Sequence, residues 1–116
     1  MQGRKFVAHR TVTKRELCET IAERAEMPQV VTRKVVQLFL DVVIEEIGEG
    51  NRLELRNFGV FDTRLQKSRK ARNPRTNEVV HVDPKAVVTF KAGKAMHEEA
   101  QNVLPTLREE GQQEEE

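Results

Sequence analysis

Between residues 64 and 77 the chain carries Arg64, Lys67, Arg69, Lys70, Arg72 and Arg75, and no acid. Cations at this density neutralise phosphates and release their counterions, the main source of sequence-independent affinity for a polyanion. Among them stands Asn73-Pro74, followed by Arg75-Thr76-Asn77. Proline is rigid and has no donor, so at an exposed tip it can wedge between stacked bases. Taken alone, it also reads as an ordinary turn proline. Other chemistry is sparse. Cys18 is the single cysteine, and His9, His81 and His97 are scattered without metal-ligand spacing. Glu45-Glu46 and Glu98-Glu99 are adjacent on helical segments and point in different directions, so they form no acid–base pair. Gly48-Glu49-Gly50 follows a helix pattern and lacks the strand before it that a nucleotide loop requires. The reading is therefore a binding protein with no catalytic residue, no metal and no cofactor.

The elements that must hold this basic segment can be read from spacing. Thr13 and Glu16 form a capping box, which starts a helix over residues 13–26 with Leu17, Ile21 and Ala25 on one face. Pro28 marks the next start, and residues 30–47 have helical spacing. From Leu38 to Ile44 that helix is apolar except for Asp41. Such a helix is either the central core of a monomer or is buried against a second subunit. The dimer is the stronger expectation, because the chain has few elements to surround it. Leu38, Phe39 and Val42 are its candidate interface residues. Alternating strands follow at 52–56 and 60–65, joined by Asn57-Phe58-Gly59, and strand character returns at 79–82 and 87–90. The polar stretch 66–77 thus joins two strands into a hairpin with no core beneath it. A last helix follows Ala92-Gly93-Lys94.

Bulk numbers agree with one α+β domain. The chain has 116 residues and is 34% charged and 37% hydrophobic. Its net charge of only +1 hides a sorted pattern. Residues 1–15 hold Arg4, Lys5, Arg10, Lys14 and Arg15 without an acid, whereas 16–50 are dominated by Glu and Asp, and Glu109, Glu110 and Glu114–Glu116 close the chain. This pattern predicts one positive surface and an acidic back. The division expected is a flexible basic extension at 1–12, a domain at 13–102 and an acidic, disordered tail at 103–116. No apolar run approaches the ~20 residues of a membrane span, no signal peptide is expected, and one cysteine suits a reducing interior.

Arg52-Leu-Glu-Leu-Arg-Asn-Phe-Gly-Val-Phe61, Ala71-Arg-Asn-Pro-Arg-Thr-Asn77 and Phe90-Lys-Ala-Gly-Lys94, in this order, resemble the bacterial HU and integration host factor family from about Thr13 to Gln101. The resemblance implies an intertwined homodimer, or a heterodimer with a related chain, with a helical base, a β-saddle and two protruding β-ribbon arms. It implies a nucleoid protein of the bacterial cytoplasm whose arms enter the minor groove of double-stranded DNA and bend it, with Pro74 intercalating. Arg72, Asn73 and Arg75 would flank the wedge, and Arg64, Lys67, Arg69 and Lys70 would line the arm. Lys91, Lys94 and Lys14 would hold phosphates, with Arg52 and Arg56 as further DNA contacts. Phe58, Phe61 and Phe90 match core aromatics of the dimer. Departures are Thr76-Asn77 in place of the usual Thr-Gly, and Val88 and Ala92 where prolines are common. Arg56 resembles the host-factor branch.

Three alternatives stay open on the residues. The protein is a bender with little sequence preference, a site-preferring bender, or a module whose basic hairpin grips RNA or an acidic protein. The acidic tail either folds back to compete for the arms or serves solubility.

Overall fold

The computed structural model describes residues 10–115, with side chains through residue 109. Residues 1–9 of the expected basic extension lie outside the described residues. Helix α1 spans Lys14–Ala25, and both halves of the Thr13/Glu16 capping box are formed. Two otherwise orphaned N–H groups are thereby satisfied at its first turn. Its end turns at Glu26, a non-glycine residue with φ of 54°, and the Met27 N–H donates to the Ala22 carbonyl at 3.0 Å. Helix α2 spans Gln29–Gly48 with Pro28 as its N-cap residue. The Thr32 hydroxyl donates back to the Pro28 carbonyl at 3.0 Å, and Thr32 is buried where α1 meets α2.

Five strands follow: β1 Leu53–Leu55, β2 Gly59–Gln66, β3 Arg69–Arg72, β4 Val79–Val82 and β5 Lys85–Ala92. They form two antiparallel sheets, one ordered β1-β2-β5 and one of β3-β4 alone. In the larger sheet Leu53 pairs with Phe61, Phe61 with Phe90, and Thr63 with Val88. Paired residues share a face, so this face is apolar. The other carries Val60 opposite Lys91, Asp62 opposite Thr89, Arg64 opposite Val87 and Gln66 opposite Lys85. Phe61 and Phe90 stack with centroids 4.7 Å apart, and Phe58 meets Phe90 edge-on at 5.8 Å. Gly59 is required here, because a Cβ at that position would fall 2.4 Å from the Phe90 ring.

The chain closes with α3 Lys94–Ala100, a 3₁₀ turn at Gln101–Val103, and α4 Leu104–Glu115. The last helix departs from the disordered tail expected of the sequence. Pro105 falls in its first turn, where no intrahelical N–H is needed, and the Leu, Arg, Glu and Gln residues that follow favour helix.

The single chain does not close a core. Among the described residues only Cys18 and Ala22, between α1 and α2, are buried apolar side chains. Leu38 and Phe39 are each 52% exposed and Val42 49%, and Phe58 and Phe90 are also exposed. Phe61 is half-buried within its own sheet. The radius of gyration is 19.7 Å, whereas a compact chain of this length has one of about 13 Å.

Candidate nucleic-acid interface

The β3-β4 ribbon is a continuation of the β2-β5 hairpin. Pairing runs from Gly59–Ala92 to Gln66–Lys85, lapses at 67–68 and 83–84, and resumes from Arg69–Val82 to Arg72–Val79. Pro84 lies in the lapse and has no N–H to offer the ladder. Beyond it the ribbon has a charged and an apolar face. Lys70 and Arg72 share one face with His81 and Val79, while Ala71 shares the other with Val80 and, at the root, Arg69 with Val82.

The tip is tied by local hydrogen bonds. The Asn73 N–H donates to the Glu78 carbonyl at 2.8 Å, and the Asn77 N–H donates to the Asn73 carbonyl at 2.7 Å. The Asn73 side-chain oxygen accepts from the Arg75 N–H at 2.9 Å. Asn77 takes φ of 65°, the left-handed geometry that its side chain tolerates better than most. It also accepts from the Arg72 guanidinium, at 2.9 Å on the side-chain oxygen and 3.3 Å on the carbonyl. Arg72 therefore helps shape the tip and does not hang free. Pro74 stands exposed at its end, with Arg75 beside it.

The other expected contacts separate into groups. Arg64 and Lys91 lie on the polar face of the larger sheet, joined by Lys85 at the arm's root, which sequence reasoning missed. Lys67 lies in the lapse, and Lys94 opens α3. Arg52 is held toward acids, with guanidinium nitrogens 3.9 Å from both Glu54 and Asp62. Arg56 lines a groove of about 460 Å³ with Asn57, Phe58, Ala95, Met96 and Glu99. Lys14 sits apart, in a cleft of about 620 Å³ between α1 and α2 with Arg15, Arg33, Lys34 and Gln37, over Cys18. Its ammonium donates to the Gln37 side-chain oxygen. Arg15, Arg33 and Lys34 were not expected contacts, since only the helix pairing gathers them. Beside this cleft, the Arg10 guanidinium and the Thr13 backbone hold the Glu16 carboxyl below the usual carboxylate range. Among the described residues no three His, Cys, Asp or Glu side chains gather as a metal site, and no helix is long and apolar enough to cross a membrane.

An open helical body carrying an antiparallel sheet and a cationic ribbon defines a class of polyanion-binding proteins. The family model for bacterial DNA-binding proteins matches residues 12–101, and the chain belongs to that family. It is 43% identical to integration host factor subunit beta of Nitrosomonas eutropha over 90 residues, covering 75% of this chain and 84% of the relative. It is 39% identical to DNA-binding protein HTa of Thermoplasma acidophilum over 77 residues, covering 66% and 86%. Among solved structures, an Anabaena HU–DNA cocrystal superposes with a TM-score of 0.71 at 34% identity, covering 77% of this chain and 97% of that one.

Proposed function

We propose that the protein binds double-stranded DNA as a dimer and bends it, as an architectural protein of the bacterial nucleoid. The arm carries this reading. It is a two-stranded ribbon with cations along it and an exposed proline at its end. Packing alone stabilises such a ribbon little, whereas phosphates reward its charge. Arg64, Lys67, Arg69, Lys70 and Arg75 line the minor groove in this reading, with Arg72 and Asn73 holding the tip and Pro74 entering a base step. Lys91 and Lys94 take phosphates at the body, and Lys14 does so from its separate cleft. Arg52 contributes least, being already engaged by two carboxylates.

The dimer is supported by the half-exposed apolar row on α2 and by the open ring faces of Phe58 and Phe90, which a second copy would cover. The kinship points the same way: the relatives are host factor subunits and DNA-binding proteins, and a structural neighbour was crystallised with DNA. Affinity is mostly independent of sequence, and any site preference comes from DNA deformability. The reading includes no catalytic step.

The test uses a ~30 bp duplex, a length for which bending is estimated to cost about 1–6 kcal/mol. Energy transfer between labelled ends is followed together with anisotropy. Wild type draws the ends together as binding saturates. Pro74→Ala binds at low salt but draws them together less, and an unchanged bend removes the wedge role. A wild-type chain that ignores duplex DNA at low salt, yet binds RNA or an acidic protein, overturns the reading.

A further inference from the structure

Resting on the DNA-binding reading above, we propose that His81 is a phosphate contact of the arm whose strength is set by pH. His81 lies in the middle of β4, directly across from Lys70 on β3. Strand alternation puts it on the face that also carries Arg72. It is the one titratable side chain on that face of the ribbon whose residue type changes charge between pH 5 and 8. Its Nε2 lies 3.5 Å from Oδ1 of Asp83. Both side chains are largely exposed, so this pair is a weak one in water.

The charged groups around the imidazole therefore oppose one another. Lys70 lies across the ladder from it, Arg72 shares its face on the diagonal, and Asp83 lies beside it. A phosphate laid along this face changes that balance. It neutralises Lys70 and Arg72 and offers the imidazolium a second acceptor. Binding and proton uptake are then linked: a lower pH tightens binding, and bound DNA draws a proton onto each arm. Below the histidine range each arm carries one more cation toward the backbone than it does above that range. The arm's other acid, Glu78, lies at the tip, just before β4 begins.

The measurement is duplex affinity of the full chain against salt, at pH 5.5 and at pH 8, for wild type, His81→Gln and His81→Lys. Each phosphate neutralised adds ~0.9 to the slope of log affinity against log salt, so two arms add ~1.8. A fourfold rise in salt then costs wild type about 12-fold more affinity at pH 5.5 than at pH 8. His81→Gln keeps the shallower slope at both pH values, and His81→Lys the steeper one. A wild-type slope that does not change with pH overturns the proposal, as does a change that persists in His81→Gln, which would assign the titration to another group. In either case duplex binding itself survives. Failure of wild type and His81→Lys to bind duplex at either pH overturns the DNA-binding reading instead.

Discussion

Phe39 is the place to test whether the open helix α2 is an interface. About half of its surface is exposed in the single chain. Truncating a fully buried phenylalanine to alanine costs about 3–5 kcal/mol. If a partner covers the exposed half, association carries about 1.5–2.5 kcal/mol of that for each copy. A symmetric interface contains the residue twice, so Phe39→Ala weakens the dimer by about 3–5 kcal/mol, or two to three and a half orders of magnitude in its dissociation constant. Sedimentation equilibrium over a wide concentration range reads this directly. Thermal midpoints taken at several protein concentrations give an independent check, since a dimer that folds as it associates melts higher when concentrated. A wild-type protein that sediments at 13.4 kDa at every concentration would refute the reasoning. So would a Phe39→Ala protein whose dimer constant is unaltered, because the exposed ring would then be an ordinary surface residue.

Two smaller predictions concern local geometry. Asn77→Ala forces a left-handed backbone on a residue that disfavours it, at about 1–2 kcal/mol, and removes the side-chain acceptor for Arg72. Amide exchange at the tip should therefore quicken, while Asn77→Gly keeps the backbone and loses only the side-chain bond; equal exchange in both variants would place the tip's order elsewhere. The Glu16 carboxyl is held below its usual range, so its contribution to the α1 cap is complete above that range and is lost as pH falls through the lowered value. Helicity followed by circular dichroism from about pH 6 to about pH 3 should decline less steeply in Glu16→Gln, and identical declines would mean the cap is not the titrating element.

Features that depend on neighbours along the chain were legible in the sequence. The Thr13/Glu16 box is one, the strand alternation on either side of Asn57-Phe58-Gly59 another, and the coreless hairpin with Asn73-Pro74 at its tip a third. The left-handed Asn77 follows from the same local logic. What stayed hidden depends on pairing across distance. Arg52 reads as a free cation until the β1-β2 register brings Asp62 to it. Lys85 joins Arg64 and Lys91 only through the β2-β5 ladder. Arg15, Arg33 and Lys34 share a cleft only because α1 packs on α2. The helix after Val103 was missed for a different reason: its Glu/Gln composition suits both a solvated coil and a helix, and composition alone does not separate them.

The β3-β4 ribbon has two unpaired edges, and an open edge is a template for a strand from another molecule. Strand β4, with Val79, Val80 and Val82, has the β-branched composition of a self-associating segment. Its protection is Arg69, Lys70 and Arg72 on β3, which set like charge against like when two arms approach. The cations suited to phosphate thus also keep separate molecules from stacking arm on arm. Colloidal stability and nucleic-acid affinity are therefore a single electrostatic property of this segment, and substitutions that weaken the second also expose the protein to aggregation.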